Sequence, residues 1–230
     1  EVHTSEAIWE EAFEKSKESY QKTISKYQEA LETKLNSLSS KHPFITRNYN
    51  NIGSLYLMVN EYEKALKTLQ KAIATNLINE QIDTNDIYSL PPYNFDEIIW
   101  HVQMLQSLKW KSKVLYNMNK KLKADGKENI KVSIALFEIY ERMVLLVEDV
   151  IIGYKEEESQ KRQLSRYDWI YEKGIEIAYD LFQSTKDEKY LRKCFWFSER
   201  SKANLSRILI TESEAIKHIA DKESFDAYNT

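Results

Sequence analysis

Four glycines and three prolines in 230 residues leave this chain few places to turn sharply. An all-β chain of this length would need many more turn residues. Lys, Glu, Leu, Ala and Gln, which favour helix, dominate whole windows of the sequence. With 42% hydrophobic and 30% charged residues it can both bury a core and stay in solution. The expectation is an all-α fold.

Periodicity divides the chain into helices. Residues 5–38 carry apolar or aromatic side chains at Ile8, Phe13, Tyr20, Ile24, Tyr27, Leu31 and Leu35, a single helical stripe with one break expected near Ser16–Ser19. Ser39 to Pro43 interrupt it, and Pro43 suits the first turn of the next helix. Residues 44–58 and 61–76 read as a helical hairpin turning at Asn60. An irregular loop is expected over 77–95, which holds Pro91 and Pro92, then a helix over 96–119 and a charged connector over 120–129 with Gly126. Residues 130–154 are apolar nearly all round, which implies burial between neighbours. Long helices follow at 157–183 and 187–210, then a polar tail with a short helix around 212–220. That makes about eight or nine helices.

One hairpin has a specific internal pattern. Tyr49, then Ile52-Gly53, then Tyr56 occupy the first helix, and Ala65, Leu69 and Ala72 the second. Small residues stand where two helices approach closely, and large ones fill the remaining space. This is the pattern of a tetratricopeptide (TPR) unit, and 46–77 is its clearest instance. Tyr27 and Ala30 repeat Leu69 and Ala72 at an offset of 42 residues, a unit lengthened by about two helical turns. Weaker units are expected from Leu108, Ser112 and Leu115 with Ala135 and Ile139, and from Ile175, Ala178 and Leu181 with Cys194 and Ser198. The architecture expected is one TPR-like helical-hairpin solenoid over 1–230. A start at Glu1 and a polar end at Thr230 suggest a piece of a longer protein.

The long unit with His42-Pro43 leading into Tyr49-Asn50-Asn51-Ile52-Gly53 resembles TPRs of the kinesin light chain type. Residues 166–209, above all Phe195-Trp196-Phe197-Ser198-Glu199-Arg200-Ser201-Lys202-Ala203, resemble the TPR region ahead of bacterial CHAT domains, which are caspase-like cysteine peptidases. The resemblance implies a regulatory or sensing array, bacterial and cytoplasmic, with a peptidase domain beyond Thr230. The family's catalytic His and Cys belong to that domain and match nothing in this chain. Cys194 stands where the family has Ala, and the 120–129 connector is longer than the family's.

No catalytic residue, metal site or cofactor is expected within the chain. His3, His42, His101 and His218 are far apart and not at ligand spacing. No phosphate loop, nucleophile elbow or zinc helix motif is present. A thiol dyad of Cys194 with His218 is outweighed by the reading of Cys194 as a small buried hydrophobe on a packed helix. A lone cysteine excludes an internal disulfide. Net charge −3 shows no basic excess, so nucleic acid is not the expected partner. No apolar run reaches the roughly 18 residues that span a bilayer.

The expected function is a protein-binding scaffold for a protein or peptide, its own peptidase domain included. In a TPR array the first helix of each unit lines a groove. By pattern the groove residues are Arg47, Asn50, Asn51, Ser54 and Met58, then Lys109, Lys113 and Asn117, then Glu172 and Tyr179. Arg47, Lys109 and Lys113 are placed to clamp a carboxylate, and Trp110 lies beside the two lysines. A stand-alone adaptor without a peptidase is the alternative. A helical enzyme using dispersed acidic residues is a third reading, with no motif behind it.

Overall fold

The computed structural model describes residues 2–79, 82–152 and 157–202, with side chains described from residue 14 onward and outside 152 and 157–165. The fold is all-α and TPR-like. Its helices are α1 (Val2–Ser37), α2 (Pro43–Met58), α3 (Tyr62–Thr75), α4 (His101–Ala124), α5 (Ile130–Ile152) and α6 (Glu157–Thr185), with a 3-10 turn at Phe95–Glu97. A seventh, α7, runs through residues 188–202. The expected helix over 212–220 and the end of the 187–210 helix lie outside the described residues. The chain divides into two compact units, Glu1–Leu146 and Val147–Thr230.

In the first unit α1 is continuous, and the break expected at Ser16–Ser19 does not occur. Hydroxyls that would compete with helical bonding instead bond back along the helix: Thr23 to Ser19 O, Ser25 to Gln21 O and Thr33 to Glu29 O. The pairs Lys17–Glu14 and Lys22–Glu18 add one-turn contacts across the same stretch. Ile24 and Leu31 of α1 meet Ile45 and Ile52 of α2, flanked by Tyr27, Tyr49, Leu55 and Tyr56.

Helix α2 starts where proline allows. His42 caps it, its Nδ1 accepting from Phe44 N, and Pro43 occupies the first turn, where no N–H is needed. The helix ends at Asn60, whose φ is 59°. Asn60 N donates to Leu57 O and Glu61 N to Tyr56 O, the paired bonds of a left-handed C-terminal cap. The chain thereby reverses into α3. There Gly53 lies under Leu69 so closely that a Cβ would stand 2.7 Å from Leu69 Cγ. Ala65, Leu69 and Ala72 are fully buried, as the small-large-small pattern requires.

Between α3 and α4 the chain makes a long link. The expected helix over 96–119 starts five residues later, because Asn94 turns the chain into a 3-10 turn and Ile98 and Trp100 are extended. It also runs on through Lys120–Ala124, so the connector between helices is 125–129. Lysines favour helix and complement its C-terminal dipole. Gly126, at φ 66°, makes the stop: its N–H bonds Lys123 O, and Lys127 N bonds Leu122 O. Asn129 then opens α5 by accepting from Lys131 N. In this unit α5 buries Val132, Leu136, Ile139, Met143 and Val144, consistent with its all-round apolarity.

In the second unit α6 and α7 form another close hairpin. A Cβ on Gly174 would stand 2.4 Å from Phe197 Cε1, so the glycine admits the ring. Asp187 precedes α7 and accepts from Lys189 N, a bond that holds its carboxyl below the ordinary range. Arg200 pairs with Glu148 and lies over the Trp196 ring. Trp196, Phe197 and Arg200 therefore have packing roles, whereas Phe195 is turned to solvent.

Candidate protein-binding face

Helix α2 touches α1, α3 and α4, so only part of its circumference is open. Gly53 marks the side against α3. Away from it, Phe44, Arg47 and Met58 are exposed, and Asn51 and Ser54 are partly so. These positions form one stripe at helical spacing. Asn50 does not belong to it. Asn50 is 3% exposed and its Oδ1 has no hydrogen-bond partner, because it lies about a sixth of a turn nearer the buried side. Ser54 spends its hydroxyl on Asn51 O.

Helix α4 is read the same way. Lys111 reaches Gln70 of α3 and so marks the α3-facing side. Lys109 and Lys113 lie two residues to either side, about 200° round the helix. Lys113, Tyr116 and Asn117 are exposed and Lys109 is partly so. The Lys113 ammonium sits 4.8 Å from the centre of the Trp110 ring. Val102, more than half exposed, continues the stripe toward the start of the helix.

The charge on these two helices is one-sided. Helix α2 carries Arg47 and no acid. Helix α4 carries six lysines and no acid. The whole chain, by contrast, has 36 acidic residues against 33 basic ones. Two touching helices that carry no acid thus turn cations, amides and isolated apolar side chains to solvent. Such a surface favours anionic groups.

Tyr179, on α6 in the second unit, is half exposed, and Glu172 beside it on the sequence stripe is exposed. Asp168 on the same helix has its carboxyl pKa raised, first by burial and then by the charge of Glu172. Cys194 is half-buried, less enclosed than the packed small residue expected of it. Its Sγ approaches Ile175 O at 3.7 Å, and burial pushes its thiol up, opposite to the shift a nucleophilic cysteine needs. His218 lies outside the described residues. Among the described residues no group of three or more His, Cys, Asp or Glu is arranged to hold a metal, and no helix is long and apolar enough to cross a membrane.

A second polar centre was not singled out from the sequence. Lys111 is fully buried. Its Nζ lies 2.6 Å from Gln70 Oε1 and 2.6 Å from Ser89 O. Gln70 completes the node by donating to Asp83 O and Ser89 O. Arg142 of α5 donates to Pro91 O and stacks on Tyr93, and Lys131 lies over Tyr88. The link is thereby seated on α3, α4 and α5. Burial lowers the Lys111 pKa to about 7; Asp86 works against the shift and Arg142 adds to it. The signal was present in the sequence: Met104, Leu108, Lys111 and Leu115 share one helical stripe, so Lys111 stands at a core position.

Comparison with known proteins touches the first unit. Residues 11–76 match the tetratricopeptide repeat family, from the end of the first α1 turns to the end of α3. No curated protein and no solved structure matches the chain.

Proposed function

We propose that this chain is a protein-interaction scaffold whose α2–α4 face binds an acidic segment of a partner. The tetratricopeptide match over 11–76 supports the general class, since such repeats serve protein binding. The observation that carries the specific reading is the absence of any Asp or Glu from α2 and α4, against Arg47 and the five α4 lysines that reach solvent, Lys111 being buried. Arg47 supplies a planar fork for a carboxylate, Lys109 and Lys113 supply point charges, and Phe44, Met58, Val102 and Trp110 supply apolar contact at intervals. The finer reading is that the scaffold is the regulatory arm of a CHAT-type peptidase, supported by the resemblance of residues 166–209. An adaptor acting without a peptidase is the alternative.

Selection from a random peptide display library tests the binding face. The 230-residue chain is expected to enrich acid-rich sequences, and Arg47→Glu with Lys113→Glu is expected to lose that bias. Enrichment without acid bias, or capture of single-stranded RNA in preference to any peptide, would overturn the reading. The coding sequence after Thr230 separates the two finer readings: a caspase-like domain with a His and a later Cys supports the regulatory arm, and its absence supports the adaptor.

A further inference from the structure

The link between α3 and α4 is closed at its base independently of its middle. Asn76 is fully buried; its Nδ2 donates to Trp100 O and its Oδ1 accepts from Trp100 N. Ile99 N donates to Asn76 O and Ile78 N to Glu97 O. Helix-to-helix links are usually two to eight residues long, and longer ordered links are commonly functional. Arg142 and Lys131 hold the link at Pro91, Tyr93 and Tyr88, and the node around Lys111, made of uncharged acceptors, holds it to α3 and α4. Lys111 meets two of them, Gln70 Oε1 and Ser89 O, and among the described residues no carboxylate comes within ion-pair distance of it. An ammonium has three hydrogens to donate and a neutral amine two. The two acceptors fit the neutral amine; the ammonium would keep a buried N–H and a buried charge without a partner.

We propose that Lys111 is a protonation-controlled latch: as a neutral amine it holds the middle of link 77–95 on α3 and α4, and as an ammonium it favours release of that segment while the Asn76–Trp100 base stays closed. The charged groups around it come from each packed element. The link brings Asp86, which favours the ammonium, and α5 brings Arg142, which opposes it. Helix α3 brings Glu63, which acts on Tyr88 of the link rather than on Lys111. Helix α2 offers no acid, and its one cation, Arg47, is on the open face.

The direction follows from where the proton is held. With the link seated, Lys111 titrates near 7; with the link released it returns toward 10.5. The seated form therefore binds fewer protons between those values. Seating is weakest and independent of pH below about 7, and strengthens roughly tenfold per pH unit above it until the released form also titrates.

Two measurements on the 230-residue chain test this. NMR of lysine labelled at Cε is expected to show one resonance titrating near pH 7, absent from Lys111→Met and shifted to lower pH in Asp86→Asn. Hydrogen exchange over residues 82–90, divided by intrinsic rates, is expected to show opening that falls roughly thirtyfold from pH 6 to pH 8.5. Amides of Ile78 and Ile99 at the base should not follow it. If Lys111→Met fails to fold, Asp86→Asn, an exposed change, still supplies the comparison through its lowered midpoint. A Lys111 resonance titrating near 10.5 would overturn the latch, as would link opening that does not vary with pH or that varies equally in Lys111→Met.

Discussion

Gly53 and Leu69 show how one hydrogen atom sets the distance between two helices. Alanine at position 53 would be the better helix former by about 1 kcal/mol, yet its Cβ would meet Leu69 Cγ at 2.7 Å. Overpacking of this kind costs about 1–3 kcal/mol, so Gly53→Ala is expected to lose stability by about 1 kcal/mol net in urea unfolding. Combining it with Leu69→Ala should cost less than the two changes separately, because the second removes the obstruction. Lys111 carries the opposite kind of strain. Its folded-state pKa lies below its unfolded value, so the charge penalty is fully present below pH 7 and is relieved as pH rises toward 10.5. Lys111→Met should therefore gain stability relative to the parent below pH 7, on the order of 1–4 kcal/mol, and the gain should shrink by pH 9. Equal stability curves for the two proteins across that range would contradict this assignment of the buried amine.

The elements themselves were largely legible, because their signals are local. Pro43, Asn60 and Gly126 act within a turn of where they stand, and the α1, α2 and α3 boundaries follow from them. What was not legible depends on distant partners. The start of α4 is set by Asn76, twenty-four residues away, which holds Trp100 in extended conformation. Asn50 leaves the open stripe because α2 is covered on three sides, and periodicity alone does not say how wide the covered arc is. Arg47 and Lys113 are exposed and Lys109 partly so, as periodicity expects of polar positions opposite a packed side. At this scale Asn76→Ala is the decisive change. It strips a partner from both the N–H and the C=O of Trp100, and is expected to cost about 1–3 kcal/mol. Exchange of the Ile78 and Ile99 amides should accelerate with it, and unchanged exchange there would mean that the base closes by other bonds.

For the whole molecule the notable quantity is the contrast between net charge and its placement. The net of −3 hides two acid-free helices, and acids are correspondingly concentrated elsewhere. Binding of an acid-rich peptide is therefore expected to weaken as salt rises from 50 to 500 mM, with most of the loss in the association rate. An affinity indifferent to salt would point to the apolar contacts at Phe44, Met58 and Val102 as the source of recognition. The clasp formed by Asn76 and Trp100 has a separate meaning for how such a chain can diversify. Both ends of the link meet at one residue pair, and Asp83 O and Ser89 O are held by Gln70 and Lys111, so the largely exposed stretch between Asp83 and Ser89 behaves as an interchangeable cassette. Residues can be added, removed or exchanged there at a closure cost that grows only logarithmically with length. The helical hairpins on either side can keep one geometry while the cassette acquires new chemistry.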